Sequence, residues 1–211
     1  MSGFASGKEI KELLNSRKMF IRPLLEDSQI SHIGIDFRLG CNFLISVNGR
    51  EPFINTSYNS FNNETENPRD IKRFFQESRR QLGETFILYP NQTVLASSLE
   101  YIKMPTNYML TLFMRSSYSR LGLTVSTIVQ PGYCGCLSIE LTNNNNNPIN
   151  LVVGARIFQG VLVPSADHSD YFSEHRKYIC SVRPEPSAAI KDKDLKHLSK
   201  LWMMNNNRLD I

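Results

Sequence analysis

Hydrophobic and polar residues alternate through much of this chain. In Ile33-Gly34-Ile35-Asp36-Phe37-Arg38-Leu39-Gly40 the large apolar side chains occupy every second position, the period of a strand with one covered face. Phe43 to Val47 continues in the same style. From Thr85 onward, FILYPNQTVLASS, YMLTLFMR, LTVSTIVQPGYCGCLSIELTN and INLVVGARIFQGVLVP are short apolar or alternating runs broken by turn residues. Strands recurring at spacings of about ten residues predict an all-β sandwich or barrel, not alternating β and α units. Helical signals are confined to three places. Ser6 and Glu9 form a capping box ahead of Ile10, Leu13 and Leu14. Pro68 suits the first turn of a helix through Ile71, Phe74, Phe75 and Ser78. Residues 189–204 place Leu195, Leu198, Leu201 and Trp202 at helical spacings. Residues 55–70 predict an exposed loop, the Asn run at 143–147 a hairpin loop, and the stretch after Pro164 a polar arm with little apolar material to anchor it.

Composition fits that picture without narrowing it. With 41% hydrophobic and 21% charged residues among 211, the chain has the make-up of a folded soluble protein, long enough for one domain with appendages. No apolar run approaches the roughly 18 residues that cross a bilayer. The opening MSGFASGKEIKELL lacks the basic start, apolar stretch and cleavage site of a secretory signal. A cytoplasmic location with no membrane partner is the expectation. Cys41, Cys134, Cys136 and Cys180 are too few for a disulfide scaffold and are expected as reduced thiols. A net charge of +4 suits a small polyanion and lacks the Lys/Arg stripe of a dedicated nucleic-acid binder.

Base deaminases that use zinc carry H-x-E followed by P-C-x-x-C. Neither element occurs here. Cys134 and Cys136 would share one strand face, but no second Cys/His pair stands near them to complete a tetrahedral site, so no zinc is expected. The segment Arg115-Ser116-Ser117-Tyr118-Ser119-Arg120-Leu121-Gly122 gathers two guanidinium groups and several hydroxyls at the end of an apolar run, which suits a phosphate or carboxylate. Composition alone reads it as a solvated basic turn, because arginine and serine are common on surfaces.

Resemblance to a family shifts that balance. RSSYSRLGL resembles the RSS-x-x-R-x-G motif of the dCTP deaminases, within the trimeric dUTPase superfamily. IGIDFRLG resembles the family's SVDLRLG, and LYPNQTVLASSLEYIKMP its P-G-x-x-x-L-A-x-T-x-E strand pair. QPGYCGCLSIELTN is similar to D-P-G-x-x-G-x-I-x-L-E-x-x-N, and INLVVGARIFQGVL to I-x-L-x-P-G-x-R-I-A-Q-L-V-F. The five elements occur in the family's order.

The resemblance implies an all-β distorted β-barrel or jelly roll of the dUTPase-like type, with a short N-terminal helix, an inserted helix and a C-terminal helical extension. Residues 1–164 would form the nucleotide-binding barrel and residues 165–211 a C-terminal arm and amphipathic helix. It also implies hydrolytic deamination of dCTP, or of a related pyrimidine deoxynucleoside triphosphate, to dUTP and ammonia without zinc. The enzyme would be a homotrimer with sites at its subunit interfaces, and the triphosphate would arrive with Mg²⁺. Glu140 matches the family glutamate that takes a proton from the attacking water and delivers protons to N3 and the leaving ammonia. Between Ile139 and Leu141 it is expected in an apolar setting, where burial would raise its pKa and a nearby arginine would hold it ionised. Arg120 matches the orienting arginine and Ser116 the hydroxyl that places the water. Arg115, Ser117, Tyr171 and Lys177 match triphosphate contacts. Gln130, Ser138 and Ile139 complete the implied nucleotide set.

Two departures bear on function. Only TVSTIVQ lies between Leu123 and Pro131, shorter than the family's hairpin that reads the pyrimidine edge. Gln130 stands where the superfamily has an aspartate, and an amide cannot act as a base at neutral pH, so dUTPase activity of the usual kind is not expected. Two classes follow: a dCTP deaminase using Glu140, Ser116 and Arg120, or a non-catalytic nucleotide-binding or sensing protein on the same trimer scaffold.

Overall fold

The computed structural model describes residues 3–47, 54, 56, 71–166, 171–172 and 176–206. Its helices are α1 (Gly7–Asn15), α2 (Ser116–Ser119) and α3 (Lys193–Asn206). Its strands are β1 (Phe20–Arg22), β2 (Ile35–Ser46), β3 (Phe75–Arg79), β4 (Thr85–Leu88), β5 (Thr93–Lys103), β6 (Tyr108–Met114), β7 (Leu123–Thr124), β8 (Thr127–Val129), β9 (Cys134–Asn143), β10 (Ile149–Val152) and β11 (Arg156–Pro164).

The main sheet runs β7-β9-β5-β2-β11-β6-β8 through antiparallel pairings, and β4 with β10 makes a separate two-stranded sheet. Its two ends, β7 and β8, are neighbours in the chain with only Val125 and Ser126 between them. So short a link spans roughly 10 Å at most. The sheet must therefore curl until its edges approach, and the result is the curled half-barrel expected of an all-β chain. Period-two alternation fills its interior: Leu137, Ile139 and Leu141 of β9 are buried, as are Phe37 and Leu39 of β2 and Phe158 of β11. Phe43 stacks on Phe86 with ring centroids 4.0 Å apart. Each such side chain removed from water contributes about 1.5–3 kcal/mol.

Ser6 caps α1, its hydroxyl accepting the Glu9 N–H at 3.3 Å, and Ile10 is buried; of the expected capping box only this half forms among the described residues. The Tyr108 hydroxyl donates to the Glu9 carboxylate and ties α1 to β6. The predicted helix through Ile71–Ser78 is instead one 3-10 turn, Ile71–Phe74, followed by β3. The turn alone buries Ile71 and Phe74, which satisfies the spacing that imitated a helix. Backbone bonds then draw the chain straight, from Val47 N–H to Phe74 O at 2.8 Å and from Arg80 N–H to Cys41 O at 2.9 Å. Tertiary pairing overrides local propensity here. Pro68 lies outside the described residues.

The Asn run is not a hairpin loop, because β9 pairs with β5 and β7 while β10 pairs with β4. It carries the chain from one sheet to the other. Asn143 is wholly buried and holds that crossing: its amide donates to Leu88 O and Asn147 O, both at 3.0 Å, and its Oδ1 accepts the Asn145 N–H at 2.8 Å. At the C-terminal end a 3-10 turn, Ala189–Lys191, precedes α3. Two compact units divide the chain: Met1–Ser46 with Glu77–Glu185, and Val47–Gln76 with Pro186–Ile211. The first unit thus runs past residue 164 to include the arm. No helix among the described residues is long and apolar enough to cross a membrane.

Candidate functional site

Strand β6 ends at Met114 and delivers Arg115 to the head of α2, whose single turn is closed by the Arg120 N–H on Ser116 O at 3.0 Å. Gly122, at φ +89°, then swings the chain into β7, a conformation that L side chains rarely adopt. Ser116, Ser117 and Arg120 are exposed, while Arg115 is half-buried. The Arg115 backbone N–H donates to Ile157 O at 2.9 Å, and its Nη1 donates to Arg156 O at 3.1 Å. Its Nε lies 3.4 Å from Asp36 Oδ2.

Asp36 is buried on β2, and burial raises its carboxyl above the ordinary range against the pull of Arg115, Arg156 and Arg38. Gln29, whose amide donates to Asp36 O at 3.1 Å, links it to a second buried acid. Glu100 of β5 is fully enclosed, and burial pushes it to about 6 although the Arg38 N–H and Gln29 Nε2 donate to it at 3.0 and 2.9 Å. The Arg38 guanidinium reaches Gly154 O at 2.8 Å and Glu26 Oε1 at 2.9 Å. Sequence reasoning placed no site role on Asp36, Arg38, Glu100, Gln29 or Arg156. The available signal was a charge inside each of two long apolar strands, within IGIDFRLG and SSLEYIK.

Glu140 is on β9, paired with Leu95 of β5. Ile139 and Leu141 beside it point into the core, so alternation sends Glu140 outward. The expected burial of Glu140 is not met within one chain: its carboxylate is exposed and accepts one hydrogen bond, from Thr127 Oγ1 of β8 at 3.2 Å. That contact bridges the two edges that the sheet's curl brings together. On its outer side β9 pairs with β7 only at Thr142 and Asn143, so the Ser138–Glu140 backbone has a ladder partner on one side alone among the described residues. Ser138 is half-buried, and Ile139 can offer a ligand only backbone. Gln130 is exposed in the turn after β8. Among the described residues, no hydrogen bond or ion pair joins Glu140 to Ser116 or Arg120.

The arm is better anchored than its composition implies. Tyr171 is buried, edge-on to Tyr133 at 5.6 Å, and its hydroxyl donates to Tyr178 O at 2.7 Å. The Cys180 N–H donates to Cys134 O at 3.1 Å and the Cys136 N–H to Ser181 O at 2.8 Å, which lays the arm along the start of β9. Lys177 is exposed, and His175 lies outside the described residues. No group of three or more His, Cys, Asp or Glu among the described residues is placed to hold a metal. An open concavity of about 1240 Å³, lined by Cys41 and residues 79–85, includes none of the predicted site residues.

Comparisons with known proteins bear on this arrangement. A family model described as dCTP deaminase-like matches residues 4–164. The chain is 31% identical over 198 residues to the dUMP-forming dCTP deaminase of Methanobrevibacter smithii, covering 90% of this chain and 97% of that one. It is 35% identical over 162 residues to the dCTP deaminase of Metallosphaera sedula, covering 74% and 84%. Among solved structures, the 2'-deoxycytidine 5'-triphosphate deaminase of Agrobacterium tumefaciens superposes with a TM-score of 0.57 at 19% identity, over 77% of this chain. This chain spans about half of that protein's length, 48%.

Proposed function

The chain belongs to the dCTP deaminase-like family, and from that premise we propose that it hydrolyses the 4-amino group of dCTP and releases dUTP and ammonia without zinc. The observation that carries the reading is Glu140, a carboxylate standing out of β9 at the match to the family glutamate, with one hydroxyl partner among the described residues. Such a group is available to take a proton from water attacking C4, pass it to N3, and protonate the departing amine. Ser116 holds the water and Arg120 orients Glu140. Neither reaches Glu140 by a hydrogen bond within one chain, which supports a homotrimer whose neighbouring subunit completes the site. Arg115, Ser117 and Lys177 receive the triphosphate, and Mg²⁺ enters with it as part of the substrate. Gln130, Ser138 and the Ile139 backbone meet the nucleoside.

The product follows from Gln130. Diphosphate hydrolysis needs a base for a second water, and a side-chain amide supplies none. The name of the M. smithii relative describes that protein as dUMP-forming; here the reaction stops at dUTP. A second reading, binding without turnover, draws on the short 124–130 segment, where two residues separate β7 from β8. One assay of the trimer fraction, sized by sedimentation, decides: dCTP with Mg²⁺ should yield one ammonia per dUTP and no pyrophosphate. Pyrophosphate with dUMP would overturn the product, no ammonia would favour the second reading, and a monomer would remove the shared site.

A further inference from the structure

Three arginines surround the buried carboxylate of Asp36, and two of them are already committed elsewhere. Arg38 is bound to Glu26, Gly154 O and Gln29. Arg156 is bound to Ser28 Oγ at 3.0 Å and lies 3.8 Å from Glu26. Arg115 differs: its side chain is 37% exposed, against 12% for Arg38 and 27% for Arg156. Asp36 and the Arg156 carbonyl hold Nε and Nη1 of its guanidinium. Its Nη2 has no protein partner among the described residues. The backbone is fixed as well, since the Arg115 N–H is bonded to Ile157 O and Asp36 sits opposite Gln159 in the β2–β11 ladder.

We infer that Asp36 is a positioning residue that acts through Arg115, pairing with Nε while the Arg156 carbonyl holds Nη1, so that the uncommitted Nη2 is presented to a nucleotide phosphate in a fixed orientation. The inference rests on the proposed triphosphate role of Arg115 and adds the group that sets its aim. A long flexible side chain frozen before the ligand arrives loses less freedom on binding, and the planar guanidinium fixes the direction in which Nη2 donates. The buried cost of Asp36 is tolerable because three cations face it; its removal leaves the charge of Arg115 in place but unaimed.

The test is a double-mutant cycle between Asp36→Asn and Arg115→Ala, read by equilibrium binding of Mg²⁺-dCTP and of inorganic tripolyphosphate, with kcat and KM where turnover exists. Asp36→Asn alone should weaken both ligands by about tenfold and raise KM with kcat within about twofold, whereas in the Arg115→Ala background it should change binding by less than about twofold. Equal losses in both backgrounds would overturn the inference, because Asp36 would then act independently of Arg115. Should Asp36→Asn fail to fold, Arg115→Lys decides: it keeps the charge without the fork, and wild-type affinity in that variant overturns the claim. Tripolyphosphate reports on the phosphate contact without the base, so a protein that binds but does not deaminate would sink the proposed activity while leaving this coupling measurable.

Discussion

Asp36 and Glu140 are carboxylates on strands of one antiparallel sheet, and the sheet treats them oppositely. Asp36 sits on β2 in the middle of the order, buried, with three arginines turned towards it. Glu140 sits on β9 near the curled sheet's seam, exposed, with the Thr127 hydroxyl as its one hydrogen-bond partner among the described residues. The first group is held still by its surroundings and can hold others still in turn. The second has lone pairs to spare and room beside it for a substrate or a neighbouring chain. The proposed proton transfer falls to the second, and the inferred aiming of phosphate ligands to the first.

The largest effect should come from the exposed member. Glu140→Gln keeps the shape and the Thr127 contact but removes the base, so turnover should fall by about two orders of magnitude or more while dCTP still binds. Stability should stay within about 0.5 kcal/mol, since the side chain lies outside the core. Ammonia release and calorimetric binding measure the two halves. Turnover that survives in Glu140→Gln would erase the division of roles.

Glu100, bonded to the Arg38 backbone two residues along β2 from Asp36, should make stability depend on pH. Burial raises it from 4.5 to about 6. A folded-state value above the unfolded one contributes stability that is fully present below pH 4.5 and lost as pH rises through 6. By linkage the loss is about 2 kcal/mol. Glu100→Gln removes the titration but leaves a donor facing donors, since both the Arg38 N–H and the Gln29 amide point at this carboxylate. The folded wild type at pH 4.5 carries a neutral acid whose own O–H faces the same donors, so the variant's stability relative to wild type should be lowest there. Relative to wild type the variant should gain about 2 kcal/mol between pH 4.5 and pH 7. Urea melts at several pH values would show it, and a variant that loses stability relative to wild type as pH rises would reverse the assignment.

The contrast between these groups also marks what the sequence could tell. Period two announced β2, β5, β9 and β11, and Ser6 with Glu9 announced α1, because those signals are local. Glu140's exposure was legible in the same alternation: apolar neighbours on a strand place a residue on the opposite face, and reading them as apolar surroundings predicted the wrong environment. The partners of the buried acids were not legible. Glu100 is bonded to Gln29, 71 residues away, and Arg38 to Gly154, 116 residues away, so their partners exist only once the sheet has closed. The 71–78 helix failed for a related reason: its spacing was satisfied by one turn, and long-range pairing claimed the rest.

The arm offers the smallest effect and the finest test of the comparison, because it combines both kinds of residue within a few positions. Tyr171 is fixed, its ring against Tyr133 and its hydroxyl on Tyr178 O, and burial raises its phenol above the ordinary value. Lys177 is exposed between Tyr171 and the strand-like contact at Cys180 and Ser181. If the anchored part positions and the exposed part binds, Lys177→Ala should leave the arm docked yet weaken a triphosphate more than a monophosphate. A surface ammonium acting as a point charge on distal phosphates is worth up to about 1 kcal/mol, or roughly fivefold in Kd. That weakening should shrink as salt is raised, because the contact is open to solvent screening. Calorimetric titration of Mg²⁺-dCTP and dCMP at two ionic strengths separates the cases, with amide exchange at residues 178–181 as the check that the arm has not come away. Equal weakening of both nucleotides would mean that Lys177 contributes only to the protein's general charge.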